Sequence, residues 1–379
     1  MLPNNTIRAI AVEQSNDGWI GTDNGLVFLD GAHNMTIYNT GNSNIPSNSI
    51  RSIFIDNTNK KWVGTFTGGL TAYNDTNWTT YNISNSSLPD DFVRSIGQES
   101  SGVMWVGTTG GLVRIEDTSW TVYNQFNSDL ESSNIASIYI DANDQKFIGT
   151  INGGLSIITD TSFVTYTLTN SGLPDNTILD IIEDNNGTVW MATPAGGLIG
   201  YIGTINWVIQ NTVNSTIASN NLNAFTIGLF GNVLIGSQNF GLLIKQNIIF
   251  NYHLMAPFGV MDENIISMDY GPTNLIWMGT STDGLVQATD NNFMSAEGIR
   301  APSIRVYPNP FVSTIQIESE NVNWESYKLF NLSGAEVVDG LIKNNKIVIE
   351  KRLSSGNYLL RLHSDKNIII QTLVTKIQN

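Results

Sequence analysis

The sequence contains no cysteine among its 379 residues, so no disulfide staples it and no thiol chemistry is open to it. That absence fits an exported chain that folds without oxidation. Histidine is nearly as scarce. His33, His253 and His363 share no common register, which argues against a histidine acid–base pair or metal site. No catalytic residue, metal ligand or cofactor is therefore expected. Basic residues are also few, 18 against 33 acidic ones. Residues 301–379 hold 9 basic and 7 acidic side chains, which leaves 9 and 26 in residues 1–300, a net of −17. A body so negative repels phosphate backbones and excludes nucleic acid as a natural partner. No apolar run reaches the roughly 18 residues of a membrane span, so no span is expected. Met1-Leu2-Pro3-Asn4-Asn5 has neither the basic start nor the apolar core of a signal peptide.

What the sequence does have is a repeat. Gly-Thr or a close variant stands at Gly21, Gly64, Gly107, Gly149, Ala192, Gly236 and Gly279, at steps of 43, 43, 42, 43, 44 and 43 residues. Two places before each anchor is a large apolar residue: Trp19, Trp62, Trp105, Phe147, Trp190, Leu234 and Trp277. Fourteen before is an aliphatic one, from Ile7 and Ile50 to Ile265, and shortly after each anchor comes Gly-Leu. A carboxylate stands eight before in five copies (Glu13, Asp56, Glu99, Asp141, Asp184), replaced by Gly228 and Gly271 in the last two. A period of this length in an alternating pattern predicts an all-β array, a seven-bladed β-propeller over residues 1–298. Each repeat gives four strand signals, a to d. In the second copy these are Ile50–Ile55, Lys61–Gly64, Leu70–Tyr73 and Trp78–Tyr81. The carboxylate column is expected to cap turn amides, and the tryptophan column to pack between blades. The seventh repeat offers only Phe293 and Ala296 for its outer strand, which leaves open whether it borrows one from upstream. Leu2-Pro3-Asn4-Asn5 matches inter-repeat linkers such as Leu88-Pro89-Asp90-Asp91. The chain thus starts at a repeat boundary and reads as a fragment, or as a precursor without its leader.

The period stops at a short linker, residues 299–303. Residues 304–379 then show seven short strand signals, among them Ile304–Tyr307, Thr314–Glu318, Tyr327–Asn331 and Asn357–Leu362, with turns at Ser333-Gly334 and Ser355-Gly356. So many strands in so short a stretch predict a small β-sandwich.

Two resemblances follow from these residues. Asp184, Gly187 and Trp190, and Trp105-Val106-Gly107-Thr108 with Gly111-Leu112, resemble the two-component-regulator propeller repeat. In that family such repeats often form the periplasmic sensing part of kinases that respond to polysaccharides. No transmembrane segment or kinase follows here, so the sensor role does not carry over. Val306-Tyr307-Pro308-Asn309-Pro310-Phe311, Lys328-Leu329-Phe330-Asn331-Leu332-Ser333-Gly334 and Leu353-Ser354-Ser355-Gly356-Asn357-Tyr358 resemble the C-terminal sorting domain of type IX secretion cargo. That resemblance implies the type IX secretion machinery as partner of residues 304–379. It also implies a secreted or outer-membrane-surface location in a Gram-negative bacterium, with the tail removed and the chain released or anchored.

One departure from the sevenfold pattern points to a ligand. Thirteen places before the anchor stand Arg8, Arg51 and Arg94, then Ala136, Leu179, Asn223 and Ile266. Three of the nine basic residues in residues 1–300 thus share one register on consecutive blades, next to the channel mouth if strand a is innermost. One column on, Asp180 interrupts a row of alanines and serines. The plainer reading is charge balance, with each arginine paired to a nearby carboxylate. The sharper one is a cradle for an anionic ligand formed by Arg8, Arg51, Arg94 and Asp180. The preferred function is non-enzymatic binding of an acidic glycan or another extracellular ligand. A secreted polysaccharide lyase or glycosidase, and a structural adhesin, stay open, because fold does not choose among them.

Overall fold

The structure is a computed structural model. It describes residues 1–289 except 161, 204–206, 229–230, 247–248, 254 and 256–260, and residues 304–377 except 320–323, 332–335, 350 and 365–368. Among the described residues the regular elements are all β-strands, and the chain falls into two compact units, Met1–Asp290 and Asn291–Asn379. In the first unit, six antiparallel four-stranded sheets and one three-stranded sheet follow in chain order. The second sheet runs Ile50–Ile55, Lys61–Thr65, Leu70–Tyr73 and Trp78–Tyr81, within one residue of the strands expected. The seventh is described for Ile265–Tyr270, Leu275–Thr280 and Leu285–Thr289. Its fourth strand, expected near Phe293, lies outside the described residues. The inner strand a of each sheet borders that of the next, and the seventh borders the first.

The repeat columns have separate physical causes. At each anchor glycine, the aliphatic residue that begins the next sheet occupies the place a side chain would take. A Cβ on Gly21 would lie 2.6 Å from Ile50, one on Gly107 2.6 Å from Ile135, and one on Gly279 2.6 Å from Ile7. The hydroxyl after the anchor closes the following loop by donating to the carbonyl of its glycine. Thr22 to Gly25 (2.8 Å), Thr65 to Gly69 (3.0 Å), Ser237 to Gly241 (3.0 Å) and Thr280 to Gly284 (3.0 Å) repeat one bond. The glycines of the Gly-Leu column have φ between 62° and 153°, the left-handed region that side chains disfavour.

The carboxylate column does more than was expected of it. Asp56 and Asp184 cap their turns through one oxygen, accepting from Lys60 N and Thr188 N (both 3.0 Å). Through the other oxygen they accept from the Trp62 and Trp190 indoles (both 2.8 Å). Glu13 and Glu99 instead take their own indole, Trp19 or Trp105, at 2.7 Å, and a lysine of the following sheet. For these two, turn capping is corrected to a bond across the sheet junction, since the extra methylene carries the carboxylate past the turn.

The second unit contains a three-stranded sheet (Ile304–Tyr307, Thr314–Ser319, Lys346–Val348) and a four-stranded one (Trp324–Phe330, Glu336–Leu341, Gly356–Ser364, Ile369–Lys376). Both feed one core, where Phe311, Ile315 and Ile347 of the first sheet's segment meet Leu329, Leu360 and Val374, all fully buried. Phe311 N donates to Thr375 O (2.8 Å) and Thr375 N to Asn309 Oδ1 (2.8 Å), so the Asn-Pro-Phe stretch is tied to the last strand.

Candidate functional site

Where the inner strands begin, a cavity of 520 Å³ is lined by the residue thirteen places before each of the seven anchors, together with Phe66 and Phe92. The cause lies in local backbone geometry. Pairing of strand a with strand b skips this residue: register passes from Ile7↔Thr22 to Ala9↔Gly21, from Ile50↔Thr65 to Ser52↔Gly64, and from Val93↔Thr108 to Ser95↔Gly107. Arg8, Arg51 and Arg94 are therefore bulge residues, and a bulge re-aims its side chain out of the sheet's alternation. All three reach the same cavity.

Their charges are not balanced one for one. Arg8 Nη2 lies 3.1 Å and Arg51 Nη1 2.8 Å from the two oxygens of Asp23, a loop residue of the first sheet. Arg94 has no carboxylate within ion-pair distance among the described residues. It donates to Asn134 Oδ1 at 3.4 Å and lies 4.8 Å over the Phe92 ring. Arg51 lies 5.1 Å over Phe66, and the two phenylalanines meet edge to face at 4.6 Å. Two guanidiniums thus share one carboxylate and the third has none among the described residues, which corrects the plainer expectation of a partner for each. Burial pulls the Arg94 pKa below the usual arginine range, and the charge of Arg51 adds to this. Arg51 shifts the same way, by burial against the opposing pull of Asp23. Burial raises the Asp23 carboxyl, but the hydrogen bond and charge of Arg8 and the charge of Arg51 outweigh it and hold it low. Since arginine stays protonated in proteins, the cluster keeps an excess of positive charge.

Asp180 lies deeper, in a cavity of 240 Å³ also reached by Arg8 and Arg94. Its oxygens accept from Ile181 N (2.9 Å) and, across the junction with the sixth sheet, from Phe225 N (2.7 Å). Burial nevertheless pushes its pKa up to about 7. Asp269 repeats the device between the last sheet and the first, accepting from Val12 N (2.7 Å), and is pushed up to about 6. The sequence pattern singled out Asp180 but not Asp269.

Sequence reasoning also missed Asp23, Phe66 and Phe92, which lie in loops outside the aligned columns. It missed Lys61 and Lys146 as well, which fill sheet junctions. Lys61 is 2% exposed, with Nζ 2.9 Å from Asp75, 3.2 Å from Glu13 and 5.6 Å over Trp19. Burial pulls its pKa down, but hydrogen bonds to Asp75 and Glu13 win and raise it. The signal was present: lysine stands three places before the anchor in a column otherwise held by Gly18, Met104, Val189, Val233 and Ile276.

Comparison with known proteins fits this architecture. The family model described as secretion system C-terminal sorting domain matches residues 305–376. The model described as two component regulator propeller matches residues 87–110 and 172–195. No curated protein matches the chain. Among solved structures, the extracellular domain of the two component system BT3049 from B. thetaiotaomicron is similar over 99% of this chain and 55% of that one (TM-score 0.71, 20% identity). PorZ, a surface component of the type-IX secretion system of Porphyromonas gingivalis, is similar over 99% of this chain and 60% of its own (TM-score 0.61, 15% identity). Virginiamycin B lyase from Staphylococcus aureus is similar over 75% of this chain and 94% of its own (TM-score 0.61, 13% identity). The chain spans less than two thirds of the length of the first two, and identities this low speak to fold alone. The chain carries two component regulator propeller repeats followed by a secretion system C-terminal sorting domain, the mark of a protein secreted to the cell surface or beyond.

Proposed function

We propose that the chain is a secreted, non-enzymatic binding protein. In this reading residues 1–298 form a seven-bladed propeller and residues 299–303 a linker. Residues 304–379 form a β-sandwich that engages the type IX secretion machinery. The propeller takes an acidic glycan at its channel mouth, through Arg8, Arg51 and Arg94, with Asp180 at the floor. One observation carries the reading: three guanidiniums converge on one cavity in a body of net charge −17, with a single carboxylate between them. A protein this acidic has ample means to neutralise three arginines, and it leaves Arg94 without an ion-pair partner among the described residues. A uronate or sulfate supplies the missing oxygens, and arginine's planar fork grips them two at a time as lysine does not. The phenylalanine rings under Arg51 and Arg94 hold the guanidiniums and offer an apolar face to a sugar ring.

The test is calorimetric titration of the purified chain with oligogalacturonates and their uncharged counterparts, with product analysis for cleavage. Binding of the acidic series without turnover supports the reading. Cleavage would favour the lyase or glycosidase alternative, and no binding of any acidic saccharide at low salt would leave the adhesin.

A further inference from the structure

A second cavity, of 570 Å³, opens at the other end of the strands, between the second and third sheets. It lies beside the a–b and c–d turns and shares no residue with the arginine mouth. Trp62 and Tyr81 form one side, stacked at 6.4 Å, and Met104, Ile115 and Trp120 form the other. Tyr81 and Trp120 meet at 5.2 Å, both part-exposed. Asn57, Lys60 and Glu116 stand at the rim, with Lys60 Nζ 5.4 Å over the Trp62 ring.

The sister junctions show why it is open. Between the first and second sheets, Lys61 reaches back to Glu13, and Tyr73 packs on Trp19 at 5.9 Å. Between the third and fourth, Lys146 reaches back to Glu99 and lies 5.5 Å over Trp105. The residue equivalent to Lys61 and Lys146 in the third sheet is Met104, and the residue equivalent to Tyr73 is Ile115. Met104 cannot bridge to Asp56, so the space that lysine occupies at both sister junctions is left as a cleft.

We propose that this cleft binds an uncharged oligosaccharide. The volume falls in the ~300–1,000 Å³ typical of small-ligand pockets. The part-exposed rings of Tyr81 and Trp120, one from each wall, suit the C–H faces of sugar rings, and the amide, ammonium and carboxylate at the rim suit hydroxyls. Asp117, exposed at the edge, and Asp56, in the lining, disfavour the uronates and sulfates that the arginine mouth favours. This inference does not rest on the mouth's function, since the two sites lie at opposite ends of the strands.

The experiment titrates the purified full chain with cellotetraose, xylotetraose and mannotetraose, read by calorimetry and tryptophan fluorescence. Wild type is expected to bind at least one of the three. Trp120→Ala and Met104→Lys are each expected to weaken it by roughly tenfold or more, as loss of a central aromatic anchor or filling of its pocket does. A thermal melt of each variant checks that the fold is kept, since Asp56 stands where glutamate meets the lysine in the two sister sheets. Arg94→Ala, at the opposite end, is expected to leave this affinity unchanged. The proposal is overturned if none of the three saccharides binds wild type, or if Met104→Lys binds as wild type does.

Discussion

The Trp277 indole is 1% exposed, and its Nε1 meets no acceptor among the described residues. In the first, second, third and fifth sheets a carboxylate eight places before the anchor takes this proton, whereas here Gly271 stands in its place. The Gly271 turn has the same backbone bonds as the Asp56 turn: Gly271 N to Leu275 O (2.8 Å) matches Asp56 N to Lys60 O (2.9 Å). Gly271→Asp should therefore cap the turn, satisfy the indole and raise stability by about 1 kcal/mol, within the ~1–3 kcal/mol that an unsatisfied buried donor costs. Urea denaturation reads this directly, and a lower midpoint would show that the nearby Asn16 side chain cannot move aside. Asp180 makes a prediction of the opposite kind. With a folded pKa of about 7 against a carboxylate's usual value near 4, the folded state binds more protons than the unfolded state between those limits. Stability must then fall as pH rises from about 4 to about 7. Asp180→Asn should flatten that part of the pH–stability profile. An unchanged slope would place the titration elsewhere.

At the scale of the element, the sheet junctions decide what the repeat can tolerate. A Cβ on Gly279 would meet Ile7 at 2.6 Å, in the contact that joins the seventh sheet to the first. Gly279→Val should cost about 1–3 kcal/mol, the usual penalty of overpacking. Gly31→Ala, where the nearest atom is 3.6 Å away, should cost far less. Equal midpoints for the two in thermal melts would mean that this junction yields freely. The same junctions mark where reading the sequence stopped. The strands of the second repeat, the anchors and the shared register of Arg8, Arg51 and Arg94 were all legible, because they depend on backbone geometry within one sheet. Asp23 serving two arginines, Lys61 reaching Glu13, and the cleft left by Met104 were not. Each depends on which side chain a neighbouring sheet presents, and a single repeat does not record that. An asparagine turn outside the aligned columns also recurs. Asn39, Asn82, Asn124, Thr167 and Asn211 each donate a backbone N–H to an asparagine three residues on, at 2.7 to 2.9 Å, which shapes the same loop five times.

For the whole molecule, two compact units imply separable tasks. Removing residues 304–379 should leave the first unit folded but keep it from being secreted. Normal secretion of the shortened chain would remove the sorting role from these residues. The central claim concerns what the exported propeller holds. Arg94 tests it most directly, since it makes no ion pair within the described structure and its loss should barely alter folding. Calorimetric titration with trigalacturonate at low salt should show Arg94→Ala binding roughly tenfold more weakly than wild type, about 1.4 kcal/mol for one charge-assisted contact. Both affinities should fall as salt is raised. Equal affinities for wild type and Arg94→Ala would contradict the account and leave the three arginines as structure alone.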